Sequence, residues 1–334
     1  MNAITIQVIC MLFSWQALAQ NTSGEAISLN FENDSRSLGG PGSDDEYTSG
    51  FRLSYVLTQN EVPGWVSPFF NLIEGHEDPD SPRNNIGFSV GQQLYTPNDT
   101  QNPNLIIGDR PYAAWLYFAV TAQIQKKSHI QIYELDLGYV GPEALGETAQ
   151  NGIHRIIGDQ SAKGWANQLG SEPTLQLFYQ QREKFYAKYY SEENKYFDII
   201  PYFGGSFGNV AIDAHIGGLV RFGTHLPGDF GPTGTSSKNG DSFAVATKDT
   251  LPTSLYVFAG GRLTAVGHDI FLDGNTFHSS YHVTKVPLVH ETELGVGCVL
   301  HRWEFSWSFV VRSPQFVGQD QFDEFASISI SHSL

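Results

Sequence analysis

Gln150 and His154 stand four residues apart in the stretch GPEALGETAQNGIHRIIGDQSAKGWANQLGSEP, Gly141 to Pro173, a spacing that puts both side chains on one face of a helix. A neutral imidazole takes a proton from water near neutral pH, and a carboxamide beside it orients that water or its target. Far upstream, Asn33, Asp34 and Thr48 supply amide, carboxylate and hydroxyl oxygens, the hard donors that Ca²⁺ accepts. Together these side chains are the parts of a calcium-assisted esterase, in which a His-activated water attacks a carbonyl while a cation offsets the charge on its oxygen. No serine nucleophile is then needed, and the sequence is read as lacking a Gly-x-Ser-x-Gly nucleophile elbow. Taken singly, Asn33, Asp34 and the acidic run Asp44, Asp45 and Glu46 also suit ordinary turns.

The rest of the chain must position this group. Pro142 and Gly146 mark the start of a helix, and Gly158 punctuates it. On its other face Ile153, Ile156 and Ile157 form an apolar stripe, so the helix is expected to lie with that stripe against a surface and to present Glu147, Gln150 and His154 sideways. The plain alternative is a surface helix whose histidine meets solvent. Elsewhere apolar and polar residues alternate with a period of two in about twelve stretches separated by turn-forming segments. These fall near 25–33, 47–59, 84–95, 112–125, 129–140, 173–190, 194–208, 210–223, 254–267, 285–299, 301–313 and 324–334. In the last, Ala326, Ile328, Ile330, His332 and Leu334 alternate strictly with Ser327, Ser329, Ser331 and Ser333, one face for lipid and one for a lumen.

The fold class expected is all-β: an antiparallel transmembrane barrel of about twelve strands with a helical extracellular loop. A soluble secreted β-sandwich has similar alternation and is the competing fold. Residues 1–19 read as a signal peptide, with an apolar core ending in Ala17-Leu18-Ala19, and residues 20–334 as the single barrel domain. Beyond that leader no stretch reaches the ~18 consecutive apolar residues of a membrane helix. Aromatic residues nonetheless make up 13% of the chain, as a barrel with interface belts requires. Trp65, Trp115, Trp303 and Trp307 are assigned to those belts and Trp165 to anchoring the helical loop. Cys298 is alone once Cys10 leaves with the leader, so packing and hydrogen bonds must hold the fold without an internal disulfide. A net charge of −16 excludes nucleic acid as a partner and suits cations.

With both termini at the periplasmic side, connections after odd-numbered strands lie at the outer face. The loop 34–46, the connection from Tyr95 to Arg110 and the Gln150/His154 segment then converge on one rim. The Gly-, Ser- and Thr-rich segment from Pro227 to Thr250 reads as a further outer loop, and Asp78 and Asp80 as a solvated inner turn without a role.

Asn33-Asp34, Tyr47-Thr48-x-Gly50, Tyr95-x-Pro97, Asp109-Arg110 and Gly141-Pro142 through Gln150-x-x-x-His154-Arg155-Ile156-Ile157-Gly158 resemble the lipid A 3'-O-deacylase (LpxR) family of outer-membrane enzymes over nearly the whole mature chain. The resemblance implies a twelve-stranded barrel with its site between the barrel wall and a loop helix near the outer surface. It implies a Ca²⁺-dependent esterase that removes 3'-linked acyl chains from lipid A, acts as a monomer, and takes lipopolysaccharide of the outer membrane as its partner and substrate. Carried over, His154 is the general base, Gln150 orients water or substrate, and Asn33, Asp34 and Thr48 build the calcium and substrate site. Two departures stand out. Gln160, beside Asp159, replaces a family glutamate, and these two join Asp34 and Thr48 as metal-ligand candidates. The connection from Tyr95 to Asp109 lacks the lysine of some relatives, which makes Arg110 the candidate for a lipid phosphate, unless it lines the lumen paired with a strand carboxylate. The other function classes are a phospholipase sharing this site and a non-catalytic barrel or porin whose loop helix plugs the lumen.

Overall fold

Alternating side chains and turn residues at regular spacing close the chain into a barrel. The computed structural model describes residues 25–34, 46–57, 64, 70, 83–126, 128–186, 196–232 and 253–334. The leader, Asp44, Asp45, Trp65, His76, Asp78, Asp80 and most of the 227–250 segment lie outside the described residues.

Twelve antiparallel strands follow in chain order: β1 (Glu25–Asn33), β2 (Glu46–Leu57), β3 (Arg83–Thr96), β4 (Ala113–Gln125), β5 (His129–Val140), β6 (Glu172–Glu183), β7 (Phe197–Gly208), β8 (Ala211–Thr224), β9 (Ser254–Asp269), β10 (Leu288–Leu300), β11 (Trp303–Arg312) and β12 (Asp323–Ser333). Phe185–Tyr186 continues β6 past a break at Lys184. β1 pairs with both β2 and β12, and β6 with both β5 and β7, so the sheet has no open edge. Helix α1 (Gly146–Ile157) sits between β5 and β6, flanked by 3-10 turns at Pro142–Ala144 and Trp165–Asn167. A single turn, α2 (Ile270–Asp273), follows β9. No helix of the described residues is long and apolar enough to cross a membrane.

The final strand behaves as its sequence requires. Ser327 and Ser331 turn inward, where Ser327 Oγ donates to Glu32 Oε1 at 3.0 Å and the Ser331 and Ser28 hydroxyls meet at 2.8 Å, while Ile328 points out. The lumen is filled with paired charge. Arg52 grips Glu134 through two hydrogen bonds of 2.9 and 2.7 Å, Arg221 grips Asp198 at 3.0 and 2.7 Å, and Arg312 Nε reaches Glu291 at 2.6 Å. Desolvated charges tolerate burial only in pairs of this kind.

Both mouths are occupied. At the rim away from the termini, Phe271 of α2 stacks on Tyr95 with ring centroids 4.1 Å apart, and Tyr47 packs on Phe325 at 5.1 Å. At the rim that carries the termini, Leu226 and Phe230 enter a cluster with Ile130, Ile200 and Tyr256. This corrects the expected place of the segment after Pro227: it follows the eighth strand, so it belongs to the terminal rim, and residues 225–232 fold into that mouth. Trp115 is a second correction. It is a lumen residue, stacked on Tyr117 and donating Nε1–H to Thr174 Oγ1 at 2.9 Å, because it shares the inward face of β4 with Ala113 and Tyr117.

Candidate active site on the outer wall

Alternation decides which side of the wall carries the site. On β3 Val90 is exposed and Ser89 buried, which turns Gln92, Leu94 and Thr96 outward; on β4 the exposed Phe118 does the same for Ala114 and Leu116. Leu94, Ala114, Tyr112, Ala144, Ala162 and Trp165 form one buried cluster, and Gln92 Nε2 donates to Ala144 O at 2.6 Å. The inserted segment is therefore clasped to the outer, lipid-side face of β3 and β4, near the rim away from the termini. The loop helix is not a lumen plug.

Helix α1 is set close to the wall by Gly146, where a Cβ would lie 2.6 Å from Ala114 Cβ and 2.4 Å from the Trp165 ring. The inserted segment that carries it is pinned on either side of the helix by the Gly141 amide on Ala114 O (3.1 Å) and by the Leu169 amide on Tyr112 O (2.9 Å). Ser171 also hydrogen-bonds Glu143, which draws that carboxyl below the ordinary glutamate range. The buried face of α1 is the polar one: Gln150 is 2% exposed and His154 5%, whereas Ile156 is 71% exposed, with Ile153 and Ile157 beside it. The expected orientation is thus inverted. The isoleucines face away from the protein, where a bilayer supplies the apolar phase, and the polar pair faces the wall.

Each polar side chain is held. Trp165 Nε1–H donates to Gln150 Oε1 at 2.7 Å. Gly158 ends the helix with φ +81°, and the turn it makes sends the Asp159 amide to His154 O (2.8 Å) and brings Gln160 O to His154 Nδ1 at 2.5 Å. A carbonyl accepts only, so His154 Nδ1 carries a proton and donates this hydrogen bond. Gln160 thus contributes its backbone, while the Asp159 and Gln160 side chains are exposed.

A second group lies on the same face. Thr48 is the extra residue of a bulge, since Tyr47 pairs with Tyr95 and Ser49 with Leu94, and its hydroxyl turns outward to meet Thr96 Oγ1 at 2.6 Å. Asn33 Nδ2 donates to Thr48 O at 2.9 Å, and the Asp34 amide reaches the same carbonyl at 3.3 Å. The structure thus joins Asn33, Asp34 and Thr48 into one cluster and Gln150 and His154 into another. Leu94 packs against Trp165 and lies two residues from Thr96 on the outward face of β3, which sets both clusters on one stretch of wall. Thr96, Gln92 and the Trp165 indole are additional members. Thr96 was legible as the outward residue between Tyr95 and Pro97; Gln92 carried no such signal.

Arg110 belongs to the other side of the wall. It is 1% exposed, its Nε lies 2.7 Å from Glu46 Oε2, and its guanidinium sits over the Tyr95 and Phe316 rings. This is the lumen pairing with a carboxylate, which leaves no outer-wall surface for a lipid phosphate. The pattern Gly204-Gly205-Ser206-Phe207-Gly208 does match Gly-x-Ser-x-Gly, contrary to expectation, yet it lies inside β7 with Ser206 buried and makes no strand-to-helix elbow.

The donor chemistry fits a hard dication at Asp34. Asp34 is buried at 3% exposure, its backbone amide shares the Thr48 carbonyl with Asn33 Nδ2, and the Thr48 hydroxyl on that same residue meets the Thr96 hydroxyl. Among the described residues no three His, Cys, Asp or Glu side chains gather as a metal group, so a cation at Asp34 would have to draw its other ligands from neutral oxygens and water.

The fold and this wall-mounted site define a class: outer-membrane-type β-barrels with a helical insertion clasped to the outer face. The profile of the family described as outer membrane protein LpxR matches residues 6–334, and the chain belongs to that family. Among solved structures it is similar to LpxR from Salmonella typhimurium, with a TM-score of 0.70 at 20% identity over 92% of this chain and 100% of that one. The β domain of the Bordetella autotransporter BrkA follows at TM-score 0.41 and 9% identity, covering 94% of this chain and 100% of that one. No curated protein matches the chain significantly. The protein is an outer-membrane β-barrel.

Proposed function

We propose that this protein is a Ca²⁺-assisted carboxylic ester hydrolase that removes 3'-linked acyl chains from lipid A, working as a monomer at the outer face of the membrane. The observation that carries the reading is the placement of His154: buried against the lipid-side wall, with Nδ1 hydrogen-bonded to Gln160 O. An ester of a membrane lipid meets this side of the barrel, whereas a soluble substrate would not.

In this reading His154 Nε2 takes a proton from a water as the water oxygen attacks the ester carbonyl. The same nitrogen returns that proton to the leaving alkoxide when the acyl carbon–oxygen bond breaks, giving the free fatty acid and the deacylated sugar hydroxyl. Gln150, fixed by Trp165, orients the water or the substrate. Asp34, Asn33 and Thr48 are the residues that would hold Ca²⁺, which supplies positive charge beside the oxygen that becomes negative in the transition state. The porin alternative is the weaker reading because the loop helix packs on the outer wall and not in the lumen, while Phe271 at one rim and Leu226 and Phe230 at the other belong to buried clusters of the described barrel.

The test is mass spectrometry of lipid A from cells expressing wild type or His154→Ala, with the purified enzymes assayed with and without a calcium chelator. Loss of the 3' acyl group only with wild type and calcium is the expected result. Unchanged lipid A in every sample would overturn the proposal, and release of fatty acid from glycerophospholipid instead would replace its substrate.

A further inference from the structure

Below the helix, on the same lipid-side wall, the strands enclose a groove of about 900 Å³. Two registered cross-strand rows build it. Val120, Leu135, Leu177 and Phe207 are successive partners across β4 to β7, and Ala122, Tyr133, Tyr179 and Gly205 are partners one row nearer the inner end. Tyr133 and Tyr179 pack with ring centroids 5.0 Å apart, and the small residues Ala122 and Gly205 flank them, so the wall is recessed between the aromatic pair and its neighbours. The groove is apolar although it lies where no water need be excluded.

Its position relative to the site is set by register. Leu116 packs against the helix cluster, and Val120 lies four residues further along the outward face of β4. That separation is roughly 13 Å at the rise of an antiparallel strand. One leaflet of a bilayer core is about 15 Å deep. A chain whose ester sits at His154 therefore reaches the groove with its distal methylenes, passing the exposed Phe118.

We infer that this groove binds the distal part of a long saturated acyl chain of the substrate, and that it sets the chain length the enzyme prefers. The inference rests on the hydrolase reading of His154. Its occupant is a fatty acyl chain because the groove opens to the bilayer, continues the wall that holds the site, and has no charged residue in its two outward rows; Glu134 and Asp213, which also line it, are paired with Arg52 and His215.

The test fills the groove with Val120→Trp plus Leu177→Trp, both at outward positions, with Leu263→Trp on β9 as a control elsewhere on the wall. One arm uses native mass spectrometry of the detergent-solubilised protein titrated with tetradecanoic acid. Wild type and His154→Ala should each take up one saturable adduct, as should Leu263→Trp, and the double variant none. The second arm compares kcat/KM for tetradecanoyl and hexanoyl esters of one acylated glucosamine. The long-to-short ratio should fall severalfold in the double variant and stay at the wild-type value in Leu263→Trp. An adduct retained by the filled groove, or an unchanged ratio, overturns the inference. Absence of ester cleavage by wild type would instead sink the hydrolase reading, and the adduct arm would still decide whether the groove takes a chain.

Discussion

Gln150 ties the chemistry to the packing, because one oxygen serves both. Its Oε1 is the acceptor for the buried Trp165 indole N–H at 2.7 Å. Gln150→Leu would leave that donor without its acceptor, at a cost of about 1–3 kcal/mol. The expected outcome is faster hydrogen exchange across residues 146–157 together with a drop in turnover, while the barrel's global melting is unmoved. Equal exchange in the variant and wild type would mean that the indole bond does not hold the helix. Arg110 makes the opposite prediction. Its guanidinium neutralises Glu46 inside the rim, so Arg110→Ala strands a nearly buried carboxylate and should lower barrel stability by about 3 kcal/mol in urea unfolding. If Arg110 instead bound a lipid phosphate, the variant would raise KM and leave the unfolding midpoint alone.

At the scale of elements, α1 depends on a backbone that only glycine adopts cheaply. Gly158 has φ +81° and open space around it, so Gly158→Ala meets no clash and tests conformation alone. The substitution should cost about 1 kcal/mol and loosen the turn that presents Gln160 O to His154. A wild-type pH–rate profile in this variant would show that the carbonyl does not set the basic nitrogen of His154. The helix also marks where sequence legibility ends. Period-two alternation placed all twelve strands, and the spacing of Gln150 and His154 placed both on one face, because these patterns are local. Which helix face meets protein was not legible. An apolar stripe packs inward in water, but beside a bilayer Ile153, Ile156 and Ile157 are satisfied by lipid and the polar face turns to the wall. Trp115 and Arg110 escaped for a related reason: a side chain on a barrel strand has two possible apolar or polar surroundings, and residue type alone does not choose between lumen and lipid.

For the whole molecule, a lumen of salt bridges sealed at both ends makes the barrel a rigid support for a site on its outside. The inner seal depends on charge. Burial alone would raise the Asp229 carboxyl, but the Arg221 and Lys184 cations overcome it and hold the group at about 2, below its ordinary 3.8. A depressed carboxylate contributes stability above its unfolded value that disappears as pH falls through the folded one. Here that contribution is about 2 kcal/mol, complete above roughly pH 4 and lost towards pH 2. Asp229→Asn should accordingly unfold at lower urea than wild type at pH 7, and the two midpoints should converge as the pH is lowered from 4 to 2. A gap that persisted unchanged at pH 2 would show that the segment is held by Leu226 and Phe230 packing and not by the ion pair with Arg221, whose Nη1 lies 2.5 Å from Asp229 Oδ1. Because the seal lies at the rim opposite α1, acid opening of this mouth should leave the exchange rates of residues 146–157 unchanged, which separates the barrel's internal electrostatics from the site it carries outside.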